Sequence, residues 1–264
     1  MNNYMSNFYK DLSDKIIVEN KIYPHSIINN FLPKELINEL ERDFKIPIES
    51  RGDLYGEKQF QKNKFYFDNL ELMPLSIQKL IKNLYSKEFL FILEKKFNLN
   101  NLLPDFSLSG GGMHESYKGG FLKVHSDFIL QKKRGLKRRL NLIIYLNKDW
   151  KEDWAGALEF WDPEMKKKFK EVQPLINNAV IFETTAISNH GFPKPLMCPE
   201  NISRKSIALY YYTDYKEDLE FEKNIHNLYT TWKLRPRWPQ LNQIQKNMNI
   251  TFLKKVINKI FYKW

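Results

Sequence analysis

The sequence predicts an α+β protein that is mainly β, with a double-stranded β-helix (jelly-roll) core, N-terminal supporting helices and a C-terminal helical tail. The first hundred residues carry apolar side chains at helical spacing. From about residue 102 the pattern changes to short apolar runs of strand length, separated by glycine-rich and polar turns. The end of the chain again shows one apolar helical face. The strands are therefore grouped in the middle of the chain.

The N-terminal part, residues 1–101, is predicted to be a mainly helical support region. One helix is predicted over 31–44, where a proline stands near the start and apolar residues recur every three or four positions. A longer helix is predicted over 75–97. Between them the segment "KNKFYFDNL" alternates as a strand does. Both helices are interpreted as a layer that packs against the β core.

The central part, residues 102–215, is predicted to form the β core. The segments "SGGGM" and "KGG" supply two of its breaks, and polar turn segments supply others. Eight short strands at this spacing favour two packed sheets over a parallel α/β sheet. The predicted strands are 105–109, 121–128, 139–147, 156–161, 169–173, 178–183, 187–191 and 205–213.

Composition excludes several classes of protein. With 264 residues, of which 42% are hydrophobic, the chain can bury a full core. It has no apolar run long enough for a membrane span, and its first residues lack the apolar centre of a signal peptide. One cysteine, Cys198, excludes a disulfide framework and a cysteine-rich metal site. A reducing, cytoplasmic location is expected.

The positive charge is concentrated in the C-terminal extension, residues 216–264. From Lys223 to Trp264 there are nine basic residues and no acidic one, so this stretch carries +9 of the net +11. The basicity is thus local, which disfavours nucleic acid as a partner of the whole protein. The segment "TFLKKVINKIFYKW" predicts an amphipathic helix. It would dock against the domain or make peripheral contact with an anionic membrane surface.

A histidine and an aspartate interrupt the apolar run "FLKVHSDFIL". The alternation of a strand puts His125 and Asp127 on one face, where an apolar setting requires that the carboxylate be neutralised. A shared cation or an ordinary hydrogen bond would do this. A metal needs a third ligand, and His190 in "ISNHGF" is the candidate. Two histidines and one carboxylate leave coordination positions open, which favours Fe(II) over structural zinc.

Arg204 opens the apolar strand "RKSIALYYYT", fourteen residues after His190. A buried guanidinium is costly without an anionic partner, and its planar fork suits a carboxylate. Arg204 is therefore a candidate to bind an anionic co-substrate. The alternative is an ordinary arginine at a strand end, exposed to solvent.

In this order, the features resemble the Fe(II)/2-oxoglutarate-dependent dioxygenase superfamily, in particular its prolyl 4-hydroxylase-like branch. The chain has His125-x-Asp127, then "LIIYLNKDW", "AGALEFWDPE" and "VQPLINNAVIFET", and finally His190 and Arg204. The similarity covers residues 105–213, a little under half of the chain. Its parts are weak signals singly and a strong signal together.

The resemblance implies hydroxylation of an unidentified substrate, coupled to decarboxylation of 2-oxoglutarate to succinate. The cofactors would be Fe(II), 2-oxoglutarate as co-substrate and O₂, and ascorbate is a candidate reductant. Six residues receive roles: His125, Asp127 and His190 as iron ligands and catalytic centre, Arg204 and Tyr145 on the distal carboxylate of 2-oxoglutarate, and Ser206 assisting them.

Two departures from the family pattern concern the substrate range. Ala155-Gly156 stands where the family often has Gly-Gly, and the loop "GFPKPLMCPENIS" is longer than in compact relatives. The basic segment 131–139, "QKKRGLKRR", is expected at one end of the barrel, where it would favour an anionic substrate if that end is open. Three alternatives stay open: a non-catalytic jelly-roll binding module, a nucleic-acid-modifying oxygenase, and the same chemistry on a sugar, glycan or small metabolite.

Overall fold

The computed structural model describes residues 2–47, 60–215 and 229–233 of the chain. The helices in these ranges are α1 (Asn2–Lys15), α2 (Lys34–Asp43), α3 (Leu75–Leu84) and α4 (Lys87–Phe97). The strands are β1 (His25–Ile28), β2 (Gln61–Phe67), β3 (Leu103–Pro104), β4 (Gly112–Ser126), β5 (Leu130–Gln131), β6 (Leu136–Tyr145), β7 (Leu158–Trp161), β8 (Lys168–Val172), β9 (Ala179–Glu183), β10 (Asn189–Phe192), β11 (Arg204–Asp214) and β12 (Thr231–Trp232).

The strands form one antiparallel sheet in the order β1-β9-β6-β11-β4-β10-β7-β8. Strand β4 is 15 residues long, and its first half pairs with β11 while its second half pairs with β10. It therefore belongs to both halves of the sheet. Apolar residues of the two halves meet in one buried cluster, which includes Tyr145 and Val180 from one half and Leu158 and Phe160 from the other. The sheet thus curls into a nearly closed barrel, and the predicted jelly-roll class is confirmed.

The helices cover the outer face of β6 and β11. Alternate residues of these strands, such as Leu142 and Leu209, share one buried cluster with apolar residues of all four helices. The hydroxyl of Tyr211 donates a hydrogen bond to the backbone oxygen of Leu84 at the end of α3 (3.1 Å). The inner face of the same strands is thereby left for polar residues.

The N-terminal part differs from its prediction in three ways. The single helix predicted over 75–97 is two helices, because Ser86 caps α4 by accepting a hydrogen bond from the backbone of Phe89 (3.3 Å). Helix α1 was missed, although buried Phe8, Leu12 and Ile16 recur every four residues. Strand β1, which pairs with β9, was also not predicted, whereas the strand-like segment "KNKFYFDNL" forms most of β2 beside β4.

Two strand predictions were wrong at the start of the core. Residues 105–109 form turns rather than a strand, and Leu108 adopts a positive φ of 49° there. The "KGG" segment lies inside β4 and does not end it. Gly120 is required at that position, because a Cβ would lie 2.6 Å from the backbone oxygen of Tyr117.

The C-terminal amphipathic helix lies outside the described residues. Residues 231–232 form β12, which pairs with β4 at Ser126 and His125. None of the helices in the described ranges is long and apolar enough to cross a membrane.

Candidate metal and co-substrate site

The barrel brings together the three residues predicted to bind metal. His125 on β4 and His190 on β10 are direct cross-strand neighbours, with ring centroids 4.5 Å apart. Asp127 follows the end of β4. One ligand atom from each of the three residues lies within 4.8 Å of the others. Strand pairing therefore brings side chains 65 positions apart into one cluster.

Backbone hydrogen bonds orient both imidazoles toward Asp127. Nδ1 of His125 donates to the carbonyl of Lys123 (2.8 Å), and Nδ1 of His190 donates to that of Ser188 (2.9 Å). Each Nε2 then lies 3.5 Å from one carboxylate oxygen of Asp127. Fixing the proton on Nδ1 leaves Nε2 with a lone pair, which is the arrangement that a metal-binding histidine needs.

Charges around the cluster favour a neutral imidazole beside an ionised carboxylate. Burial, reinforced by the neighbouring His125, lowers the pKa of His190 to about 4. Burial by itself would raise the pKa of Asp127, but Arg138 and the two histidines hold that pKa well below its ordinary value. Neutral nitrogen and anionic oxygen ligands fit a divalent cation such as Fe(II).

A buried polar network supports Asp127. Asn141 donates to Oδ2 of Asp127 (2.8 Å), and a guanidinium nitrogen of Arg138 lies 3.3 Å from the same oxygen. The amide oxygen of Asn141 in turn accepts hydrogen bonds from Arg138 (2.7 Å) and from the hydroxyl of Thr184 (3.2 Å). Each member has a partner, so the network fixes the position of the carboxylate.

Arg138 is a site residue that the sequence analysis missed. It was assigned to the basic segment 131–139, yet it is buried and its guanidinium lies 3.4 Å from the centre of the Tyr210 ring. The register between β6 and β11 shifts at this point, where Tyr211 faces Leu140 and Tyr212 faces Arg138. This bulge turns Arg138 to the inner face, which simple alternation would not predict.

We expect Arg138→Met to destabilise the metal-free protein, because it leaves the Asp127 carboxylate buried without its cation. The cost should be roughly 3–5 kcal/mol of unfolding free energy. Bound Fe(II) would supply positive charge to the same carboxylate, so the loss should be smaller in the metal-loaded protein. Denaturant unfolding with and without Fe(II) measures both values.

The adjacent Arg139 provides the matched control. It pairs with Glu183 at 3.3 Å in a partly exposed position, and Arg139→Met should cost only about 0–1 kcal/mol. An Arg138→Met variant as stable as the wild type, or equally destabilised with and without metal, would contradict this role.

Arg204 lies buried at the start of β11, on the inner face of the barrel. Its Nε donates to the backbone oxygen of Gly156 (2.7 Å), and its guanidinium stacks near the rings of Phe192 (4.3 Å) and Tyr145 (5.0 Å). In the described part of the chain it has no acidic partner. A buried cation in this condition is a candidate to bind an anion.

Tyr145 and Ser206 are cross-strand neighbours beside Arg204. The buried hydroxyl of Tyr145 makes no hydrogen bond with any residue that the structure describes. Burial raises the pKa of Tyr145, and the charge of Arg204 opposes that rise only in part. A neutral phenol with an unused donor therefore stands beside a cation, as a carboxylate ligand would require.

The Ala155-Gly156 step explains one departure from the family pattern. Gly156 has a φ of +83°, and a Cβ there would lie 2.7 Å from Leu196 and 3.2 Å from Arg204. Glycine is therefore needed where the chain approaches the arginine. Ala155 also has a positive φ, 58°. That conformation favours glycine, but alanine adopts it here at some cost in strain.

Comparison with known proteins finds one family model that matches the core of the chain. Residues 112–212 match the 2OG-Fe(II) oxygenase superfamily. The match covers less than half of the chain and includes all six residues given roles above. No curated protein sequence matches the chain. The match agrees with the resemblance found in the sequence, and the iron and 2-oxoglutarate chemistry that this resemblance implies would lie in the matched segment.

Two solved structures illustrate the likeness of the fold. One is a prolyl-4-hydroxylase from Pseudomonas putida, with 15% identity, a TM-score of 0.50, and coverage of 79% of this chain and 98% of that one. The other is a prolyl hydroxylase from Trichoplax adhaerens in complex with a hypoxia inducible factor peptide fragment. It has 17% identity, a TM-score of 0.55, and coverage of 79% and 92%. At these identities the comparison supports the shared fold.

Proposed function

We propose that the chain hydroxylates its substrate with an iron bound by His125, Asp127 and His190, and that Arg204 and Tyr145 bind the distal carboxylate of 2-oxoglutarate. The observation that carries the proposal is the geometry of the cluster. Two imidazole Nε2 atoms converge on one carboxylate inside the barrel. The same barrel holds Arg204, a buried arginine without an acidic partner among the described residues.

The reaction consumes one O₂ and one 2-oxoglutarate for each C–H bond converted to C–OH, and releases succinate and CO₂. Bound Fe(II) supplies the activation of O₂. The protein's own groups position the reactants. Asn141 and Arg138 fix the carboxylate of Asp127, and Arg204 anchors the co-substrate at one end. Buried apolar side chains of the barrel, including Phe160 and Phe182, exclude water from the site.

Succinate release tests the function directly. The purified full chain would be incubated with Fe(II), 2-oxoglutarate, ascorbate and O₂, with panels of peptides, sugars and small metabolites. We expect one panel to stimulate succinate formation above the uncoupled background. A wild-type protein that binds neither Fe(II) nor 2-oxoglutarate would instead be a non-catalytic jelly-roll module, and the proposal would fail.

A protein or peptide residue is the first substrate class to test, because both similar structures are prolyl hydroxylases and one contains a peptide. A sugar, glycan or small metabolite is the alternative. Contact of the C-terminal extension with an anionic membrane surface and a cytoplasmic location remain proposals from the sequence, supported by the basic tail and the single cysteine.

We also propose an anionic substrate, on the basis of the basic segment 131–139. The arginines of this segment are already paired with acids of the chain: Arg134 with Asp105, Arg138 with Asp127, and Arg139 with Glu183. The segment also carries three lysines, Lys132, Lys133 and Lys137, and the first two of them are exposed to solvent.

The variant Lys132→Gln/Lys133→Gln/Lys137→Gln tests this charge and leaves the arginine pairs intact. Attraction between exposed charges is screened over about 8 Å at physiological ionic strength, so turnover of an anionic substrate by the wild type should fall as salt rises. The triple variant should raise KM and flatten that dependence. A control in which Lys79, Lys82 and Lys95 become Gln removes three lysines from α3 and α4. Identical KM and salt response in the two triple variants would refute the role of the segment.

A further inference from the structure

Lys64 on β2 lies in the same row of the barrel as Arg204. In the register of the sheet, Lys64 faces Ser116 of β4, and Ser116 faces Arg204 of β11 on its other side. Directly opposed residues of neighbouring strands point to the same face. The side chain of Lys64 therefore enters the interior beside the proposed co-substrate end, although β2 precedes the segment that matches the oxygenase superfamily.

The ammonium group of Lys64 has one hydrogen-bond partner among the described residues, the Nδ1 atom of His114 at 2.8 Å. His114 is itself buried, and burial and the nearby lysine lower its pKa well below the ordinary value, so the imidazole is neutral and adds no negative charge. No carboxylate of the described ranges forms an ion pair with Lys64. Lys64 is thus a partly buried cation without an anionic partner in the described ranges.

Two neighbouring cations in a low-dielectric interior repel one another. Burial and the charge of Arg204 lower the pKa of Lys64 to about 7, while Asp127 opposes that change. The row that Lys64 shares with Ser116 and Arg204 puts the two cations at the same end of the barrel. Such a pair of unneutralised cations is complementary to a ligand with two carboxylates.

We propose that Lys64 is the second cationic contact of the 2-oxoglutarate site and binds the carboxylate nearer the metal ligands. Arg204 would bind the distal carboxylate, so the two charges of the ligand would each meet one cation. This inference rests on the proposed function and adds a residue that the superfamily match does not contain. Lys64 could instead bind a carboxylate of the substrate. Titration with 2-oxoglutarate alone distinguishes the two possibilities.

The affinity of the Mn(II)-loaded full chain for 2-oxoglutarate tests the proposal without turnover. In anaerobic calorimetric titrations, Lys64→Met should weaken binding by about tenfold or more, because it removes a charge-assisted contact from a poorly solvated site. Lys62→Met is the matched control: Lys62 is on the same strand but exposed, and its replacement should leave the affinity unchanged. Unchanged affinity in Lys64→Met would overturn the proposal and leave the lysine to the substrate or to the fold.

A ligand with one carboxylate identifies which end Lys64 contacts. The 2-oxo acid 2-oxopentanoate keeps the carboxylate next to the keto group and lacks the distal one. Lys64→Met should weaken its binding by the same factor as for 2-oxoglutarate, whereas Arg204→Met should weaken only 2-oxoglutarate. Loss of affinity confined to 2-oxoglutarate in both variants would move Lys64 to the distal carboxylate and refute the assignment.

Thermal stability separates binding from a structural role. Methionine removes an unpaired charge from the interior, so the ligand-free Lys64→Met protein should have a Tm equal to or above that of the wild type. A lower Tm with unchanged affinity would make the lysine structural. If the wild type does not bind 2-oxoglutarate, the proposed function itself fails. If Arg204→Met reduces the affinity and Lys64→Met does not, only the present inference fails.

Discussion

A His190→Ala variant should lose Fe(II) binding entirely and keep its fold. The imidazole is one of three ligands, and removing it leaves only the adjacent pair His125 and Asp127 to coordinate the metal. His190 makes one hydrogen bond through its side chain, to the carbonyl of Ser188, and its ring packs against those of Phe182 and His125, so the variant should lose some stability but not the fold. Metal analysis of the protein after anaerobic loading and desalting measures the bound iron, and circular dichroism verifies the fold.

Replacement of Asp127 needs a different design, because its carboxylate also neutralises buried Arg138. Asp127→Ala would leave that guanidinium unpaired and risks unfolding. Asp127→Asn removes the charge but keeps the volume and an oxygen that can accept a hydrogen bond from Arg138, and Asp127→Ala combined with Arg138→Met removes both charges, so either should fold better than Asp127→Ala and not bind iron. Asp153→Ala, at an exposed carboxylate, is the control that should bind iron normally. Full iron occupancy in His190→Ala or Asp127→Asn would rule out the triad.

An Arg204→Met variant should bind 2-oxoglutarate much more weakly than the wild type. Truncating one partner of a buried charge pair costs roughly 2–5 kcal/mol, which is well over tenfold in the dissociation constant. The variant should fold, because its substitution leaves no acidic side chain of the described residues without a partner. Titration of the Mn(II)-loaded protein with 2-oxoglutarate in the absence of O₂ measures the effect.

Tyr145→Phe should lower the same affinity by less, since it removes one neutral hydrogen-bond donor, worth about 0.5–1.5 kcal/mol. Its hydroxyl makes no hydrogen bond in the described structure, so the ligand-free variant should be as stable as the wild type. Arg42→Met, at an exposed arginine on α2, is the control for loss of a positive charge. Wild-type affinity in Arg204→Met would refute the assignment of the distal carboxylate.

The sequence was sufficient to predict the class of fold, and it proposes those candidate site residues that lie in local patterns. His125 and Asp127 are two positions apart on a strand, and alternation alone puts them on one face. Grouping them with His190, Arg204 and Tyr145 depended on the order of features along the chain. The structure brings these groups to the inner face of one barrel, which is the arrangement that the resemblance implied.

The residues that were missed depend on long-range geometry. Arg138 turns inward because β6 carries a bulge, whereas the sequence pattern shows it only as one member of the basic segment 131–139. Lys64 reaches the interior because β2 pairs with β4, although the hydrogen-bonded Lys64 and His114 are 50 positions apart. Local propensity carries no information about bulges or about which distant strands pair.

Two other segments, β2 and β12, cover one edge of the long strand β4. Strand β2 pairs along this edge up to Leu122, and the backbone of Phe60 bonds to Lys123. Strand β12 continues the cover beside His125, with the rings of Phe60 and Trp232 stacked 4.8 Å apart. A shortened protein ending at residue 215 would present unpaired backbone groups next to an iron ligand, which is the kind of edge that promotes aggregation. Recombinant forms of the core should therefore extend at least to residue 233, past the boundary that the sequence suggests.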